Sequence, residues 1–237
     1  METLYNSSDL NKLSIGPTSR ILVVMPHPDD EAIFLGGFLH QLSTNGITTR
    51  AITMTVGEKS TLRYGMKPDD NLSEVRQKEL TKSFQILGIT DFQIHQYPDG
   101  ELEQNTIKIK QTIQKNISTF KPTHIVTLEP DGIYGHPDHV ALSAFVTQVV
   151  KKPIQLLYVT VSPDYHLPKA SWMAKKKNIQ PIHPDYQLKL RPSNIFTKIR
   201  SMRAHHSQFV PPVTKLPFQS VFFFKNKLLT YEYFAKG

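Results

Sequence analysis

The 237-residue sequence predicts an α/β fold, a mostly parallel sheet with helices on both faces. Two observations lead there. From residue 20 to residue 161, short apolar runs alternate with segments of helical period. The composition, 39% hydrophobic and 20% charged, is that of a chain able to bury a core. The length favours a single domain.

Each element has its own warrant. "RILVVM" (20–25) is a short apolar run ended by Pro26, as in a strand buried on both faces. Within 30–44, Ile33, Phe34, Gly37, Phe38 and Leu42 recur at helical intervals. "ITTRAITMTV" (47–56) is β-branched and strand-like. The segment 71–88 reads as a helix closed by Gly88. Strands follow at 92–97, 123–130 and 154–161, with helices at 103–119 and 137–150 between them. After residue 161 the rhythm breaks. The Pro- and Lys-rich stretch 162–192 is expected to be a loop or lid, followed by a helix at 193–206 and a strand at "SVFFF" (220–224). Residues 1–19, polar and unpatterned, are expected to be a flexible arm ahead of a domain spanning 20–237.

Composition narrows the function. With no cysteine, disulfides and thiolate metal sites are excluded, so any metal is held by His and carboxylates. No apolar run approaches eighteen residues, and the N-terminus has no basic-then-apolar leader pattern, so a cytoplasmic protein with no transmembrane segment is expected. The net charge of +8 is concentrated in 166–203, where nine Lys or Arg face only Asp185. That segment fits either a solvated loop or the binding of an anionic partner. Aromatics for base stacking are few there, Trp172 and Tyr186, so no nucleic-acid partner is expected. A homo-oligomer remains open.

Sites in such sheets lie beyond the carboxyl ends of the strands. His27-Pro28-Asp29-Asp30-Glu31 follows the first predicted strand, "VGEKS" the second, "YPDGEL" the third and "EPDGIYGHPDHVAL" the fourth. The layout is Rossmann-like, yet a dinucleotide site fails on charge, because acids stand where a pyrophosphate would sit. Those acids suit a cation. His27 and Asp30 are three apart at a strand-to-helix turn, and His136 and His139 are three apart at a helix start. Two histidines and a carboxylate form an open metal set for Zn²⁺ or for non-haem Fe²⁺. Iron oxygenases with that set usually sit on all-β folds, which the helices here oppose. The third His-Pro-Asp, 183–185, lacks a following ligand and is read as coincidence or substrate-loop structure. His40, His95, His124 and His166 are read as structural.

The pairing of "PHPDDE" with "HPDH" about a hundred residues later resembles the LmbE-like, or PIG-L-like, zinc de-N-acetylases. "TMTVGEKS", Arg76-x-x-Glu79-Leu80, "PDGEL" (98–102) and Lys198…His205-x-Ser207-Gln208 extend the resemblance over about residues 20 to 210. It implies hydrolysis of the acetamide of an N-acetylglucosamine conjugate, the alternative being a metal-dependent amidase acting on a non-sugar amide, with one zinc ion held by His27, Asp30 and His139; other divalent ions such as Fe²⁺ are admissible. It implies Asp29 as general base, His136 as general acid or cationic oxyanion stabiliser with Asp138 holding its ring, and Tyr134 polarising the carbonyl. Arg76 and Asp99 would hold sugar hydroxyls or anionic parts of the substrate, and His205 is assigned to the substrate side. Adjacent side chains diverge, so one ligand and one base is a natural division between Asp30 and Asp29.

Overall fold

In the computed structural model, which describes residues 1–5, 7–165, 179–209 and 226–237, alternation along one central strand divides the core in two. Ile21, Val23 and Met25 face one apolar cluster, and Leu22 and Val24 face the other. This is period-2 geometry in a strand covered on both faces.

In chain order the elements are β1 (Glu2–Leu4), β2 (Arg20–Met25), α1 (Asp30–Thr44), β3 (Thr48–Thr53), α2 (Leu72–Leu87) and β4 (Asp91–Ile94). Then come α3 (Thr106–Phe120), β5 (His124–Leu128), the single turn α4 (Gly132–Gly135), α5 (Pro137–Val149) and β6 (Gln155–Thr160). β7 (Tyr186–Lys189), α6 (Pro192–Ala204) and β8 (Tyr231–Lys236) complete the described fold. The sheet order is β1-β7-β8-β6-β5-β2-β3-β4, parallel throughout except for β8, which runs against β6 and β7. Helices α1, α2 and α6 pack together, and α3 packs with α5. The predicted helix at 71–88 is capped by the Asn71 side chain, which accepts from Ser73 N at 3.0 Å, and closed by left-handed Gly88 (φ 77°).

Three expectations are corrected. The segment expected to be a flexible arm contributes β1, which pairs with β7, and it buries Leu4, Leu10, Leu13 and Ile15. Those apolar residues are too irregularly spaced to show a period. Part of the expected loop 162–192 is strand β7, where buried Tyr186 and Leu188 alternate with Gln187 and Lys189. A strand at Tyr231–Lys236 was not expected; the one predicted at 220–224, with residues 166–178 of the predicted lid, lies outside the described residues.

Lys198, counted in the basic segment, is not a surface charge. It is fully buried, with Nζ 2.6 Å from Glu232 Oε1. The same carboxylate accepts from Gly37 N (2.8 Å) and Phe38 N (2.7 Å) inside α1. The backbone there is tightly approached, since a Cβ on Gly37 would lie 2.4 Å from Leu190 Cδ2. Breaking a buried pair from one side leaves an uncompensated charge. Glu232→Leu is therefore expected to destabilise the protein by about 3–5 kcal/mol, read as a lowered denaturation midpoint. An unchanged midpoint would mean that the pair contributes nothing.

Candidate metal centre and active site

β2 and β5 are neighbours, with β3 and β4 beyond one and β6 beyond the other. Strand order reverses between them, and such a reversal opens a crevice outside the carboxyl ends. The loop carrying His27 to Glu31 leaves β2 there, and the loop carrying Tyr134 to His139 leaves β5.

Across that crevice three atoms converge. His27 Nδ1 lies 3.1 Å from His139 Nε2, and Asp30 Oδ2 lies 3.4 Å from each. Their outer partners decide what they are. His27 Nε2 faces Asp99 Oδ1 (3.1 Å) and Asp138 Oδ2 (3.2 Å), so its proton sits on that side. His139 Nδ1 donates to Gly132 O at 3.2 Å. Both rings then aim bare lone pairs at the Asp30 oxygen. Three such acceptors repel one another unless a cation sits between: in the metal-free protein, despite burial, the carboxylates of Asp138, Asp30 and Asp99 raise the His27 pKa well above its ordinary value, so that a proton takes that place, and a metal ion would replace it. Tetrahedral ligands at Zn²⁺ bond lengths of about 2.0–2.1 Å are themselves roughly 3.3 Å apart, so the triangle fits a zinc ion. Against the upward push of burial, positive charge on the His139 and His27 rings when no metal ion is bound, together with the bond from His27 N (3.1 Å), draws the Asp30 carboxyl down to about 2, which keeps it an anion. Gly132 makes the approach possible. It has φ 63°, and a Cβ there would lie 2.5 Å from that of His139.

Asp29 occupies the left-handed region at φ 102°, a conformation of order 1–3 kcal/mol above its usual ones, held by the surroundings. Its carboxylate meets Arg76 Nη2 at 3.3 Å. Burial pushes the carboxyl up to about 7, against the pull of Arg76 and with the help of the Asp30 charge. Tyr134 Oη lies 3.4 Å from His139 Nε2. Burial and then the Asp30 and Asp29 charges raise the phenol well above its ordinary value, so it stays a donor.

Five sequence-based roles are revised. Asp138 does not hold the His136 ring. Its carboxylate faces His27 and accepts from Gly100 N (2.7 Å) and Leu102 N (3.1 Å), while its own N–H donates to His136 Nδ1 at 3.2 Å. A ring that accepts at Nδ1 is neutral with its proton on Nε2. Burial and the His27 and His139 rings lower its pKa to about 3, so His136 is not the expected cation. Asp99, assigned to sugar hydroxyls, spends its oxygens on His27 Nε2 and on Lys59 N (3.1 Å), although it does line the cavity. Arg76 likewise reaches the cavity, but its donors tie Gly57 O (2.8 Å) and Pro28 O together beneath the two loops. His205 is not on the substrate side. It is fully buried, with Nε2 2.7 Å from Glu31 Oε1.

The third His-Pro-Asp belongs to the sheet edge. Asp185 Oδ2 accepts from Lys236 N at 2.8 Å, and its backbone bonds Glu2 and Phe234. His40 pairs with Asn194, and His124 reaches Leu13 O. His95 is half-buried beside Tyr97, and His166 lies outside the described residues.

A family profile described as PIG-L, GlcNAc-PI de-N-acetylase, matches residues 22–150, more than half of the chain, and spans both motif loops. The protein belongs to the PIG-L family. Among the relatives of this family member is a probable N-acetyl-alpha-D-glucosaminyl L-malate deacetylase 2 of Bacillus anthracis, 28% identical over 206 residues, covering 83% of this chain and 84% of that protein. Another is a 1D-myo-inositol 2-acetamido-2-deoxy-alpha-D-glucopyranoside deacetylase of Corynebacterium glutamicum (strain R), 26% identical over 221 residues, covering 80% and 75%. The fold matches that of the N,N'-diacetylchitobiose deacetylase from Pyrococcus horikoshii, with a TM-score of 0.70 at 19% identity, over 97% of this chain and 92% of that one.

In front of the ligand triangle this PIG-L protein has a cavity of about 390 Å³. Among its walls are His27, Asp29, Tyr134 and His136, with Lys59 and Gln208 from later loops. Sequence reasoning had not singled out Lys59 as a cavity residue. Of the described basic residues in 166–203, none lines this cavity. Besides buried Arg76, Lys59 brings a cation to this wall, 2.6 Å from Glu101. The two minor motifs also meet. Glu79 accepts from Ser207 N and Oγ, both at 2.7 Å, and Ser60 Oγ donates to Gln208 at 2.7 Å, bracing the rim. Among the described residues, no helix is long and apolar enough to cross a membrane.

Proposed function

We propose that this protein is a zinc-dependent de-N-acetylase that releases acetate and a free amino sugar from an N-acetylglucosamine-type conjugate. Family membership carries the reaction class, amide hydrolysis. The observation that carries the rest is the convergence of His27 Nδ1, Asp30 Oδ2 and His139 Nε2 beside the Asp29-lined cavity.

Those three side chains would hold the ion, and a bound Zn²⁺ would supply Lewis acidity and lower the pKa of its water toward ~7. Asp29, with a carboxyl near neutrality, takes a proton from the attacking water and returns it to the departing nitrogen as the C–N bond breaks. Tyr134 Oη and the neutral His136 Nε2–H are the donors available to the carbonyl oxygen as charge builds on it. Asp99 and Asp138 keep the His27 proton away from the ion. An iron-dependent oxygenase shares this donor set, but the matching family is one of de-N-acetylation, which favours hydrolysis.

The test measures free-amine and acetate release from N-acetylglucosamine conjugates bearing L-malate or myo-inositol, with the zinc-reconstituted protein and after chelation. Equimolar release that chelation abolishes is expected; no release from any conjugate overturns the reading. Lys59 supplies an anion preference at the cavity mouth. Lys59→Gln is expected to raise KM for the malate conjugate about 3-fold or more and to leave the inositol conjugate nearly unchanged, with added salt mimicking the substitution. Equal shifts for both would assign Lys59 to the solvated surface. Lys175–Lys177 of the basic segment lie outside the described residues.

A further inference from the structure

Glu31 and His205 take no part in the chemistry above, yet both are fully buried behind it. Asp29 N donates to Glu31 Oε2 at 3.0 Å. Glu31 Oε1 takes Ser83 Oγ at 2.6 Å and His205 Nε2 at 2.7 Å. One carboxylate thus gathers donors from the loop after β2, from α2 and from the end of α6. Among the described residues, the His205 ring makes this single side-chain bond, its Nδ1 being buried without a partner there, and the residue does not line the cavity. On the other side of Asp29, its carbonyl accepts from Ala32 N and Ile33 N, both at 3.0 Å. The left-handed backbone of Asp29 is therefore fastened at its N–H and at its C=O, and the N–H fastening depends on Glu31 being aimed.

We propose that the buried Glu31–His205 pair positions Asp29, holding its backbone at φ 102° so that its carboxylate faces the cavity. The proposal rests on the reading of Asp29 as the base. Both members are positioning residues and touch no substrate. Ser83 steadies the same carboxylate.

A double-mutant cycle tests it, using the zinc-reconstituted protein and whichever of the malate and inositol conjugates turns over faster. His205→Leu removes the bond to Glu31, and His205→Gln keeps an N–H donor of similar reach. In the parent background, His205→Leu is expected to lower kcat about 10–100-fold, with KM and zinc content nearly unchanged, as for a catalytic group displaced by about an ångström. His205→Gln is expected to recover most of that loss. In an Asp29→Asn background, His205→Leu is expected to change kcat by less than about 2-fold, because the group it positions is already gone. An equal loss in both backgrounds, or a loss tracking zinc content or KM, overturns the proposal. Should His205→Leu fail to fold, Ser83→Ala enters the same cycle, with an expected loss of about 3-fold in the parent background only. A crystal structure of the His205 or Ser83 variant gives a readout free of activity. Asp29 is expected to leave its left-handed conformation or turn its carboxylate, and an unmoved Asp29 overturns the proposal. If Asp29→Asn alone leaves turnover intact, the fault lies with the base assignment, whereas additive losses indict only the positioning pair.

Discussion

Asp30→Ala and His139→Ala are each expected to leave the protein folded, without bound zinc and without measurable amine release. The expectation follows from the convergence of acceptors. Each variant removes one corner of a triangle with edges of 3.1–3.4 Å. Two remaining donors with open solvent in front bind a divalent ion weakly, and the chemistry that activates water goes with the ion. Removing the metal from the parent protein with a strong chelator is expected to give the same inactive state, restored by adding Zn²⁺. Zinc per chain, measured by elemental analysis after dialysis, is the deciding quantity. Either variant retaining a full equivalent would show that the ion sits elsewhere, for instance nearer His136, whose ring centroid is 4.6 Å from that of His27. Each variant also deletes a buried hydrogen bond, from His27 N to Asp30 Oδ2 (3.1 Å) or from His139 Nδ1 to Gly132 O (3.2 Å), so the apo-protein is expected to stay folded at slightly lower stability while activity vanishes outright. That divergence separates a metal site from a structural cluster.

What could be read in the sequence was what short-range pattern encodes. β2 and β5 are buried on both faces, so they appear as unbroken apolar runs, "RILVV" and "HIVTL". The ligands follow those strands at fixed offsets, and sheet topology alone brings them together. Edge elements were harder. β7, with four residues, and β1, with three, show hardly a full period of alternation. Roles set by distant contacts were out of reach. His205 and Glu31 are 174 residues apart, and the His27–Asp138 contact spans 111. Nothing local says that Asp138 turns from its neighbour His136 toward His27. Nor does anything local distinguish Lys198, buried on Glu232, from the exposed Lys189 nearby. Charge counting treats the two alike, and only packing separates them.

Asp29→Asn is expected to retain zinc and fold while kcat falls by roughly 10²–10⁴, the usual worth of a general base. The amide is nearly isosteric, keeps the backbone bond to Glu31, and can still accept from Arg76 through its oxygen. What it cannot do is take a proton. Asp30 is no substitute: its carboxyl is held near 2 by the two histidines and its oxygen faces the ion site. His136 is no substitute either, since its Nδ1 already accepts from Asp138 N and its Nε2 carries the proton. Of the two carboxylates in the cavity wall, Asp99 is held low by His27 despite its burial, so on the proposed reading Asp29, pushed up to about 7, is the one suited to proton exchange near neutrality. Steady-state kinetics on the faster conjugate, with zinc content measured on the same samples, decides the matter. KM is expected to change little, because the loss is confined to the transition state. Wild-type turnover in this variant would remove Asp29 from the mechanism. A fall that matches a fall in bound zinc would make it a ligand instead. A loss larger than that of His136→Ala is also expected, because a neutral ring contributes one hydrogen bond to the oxyanion, whereas Asp29 carries the proton in both directions.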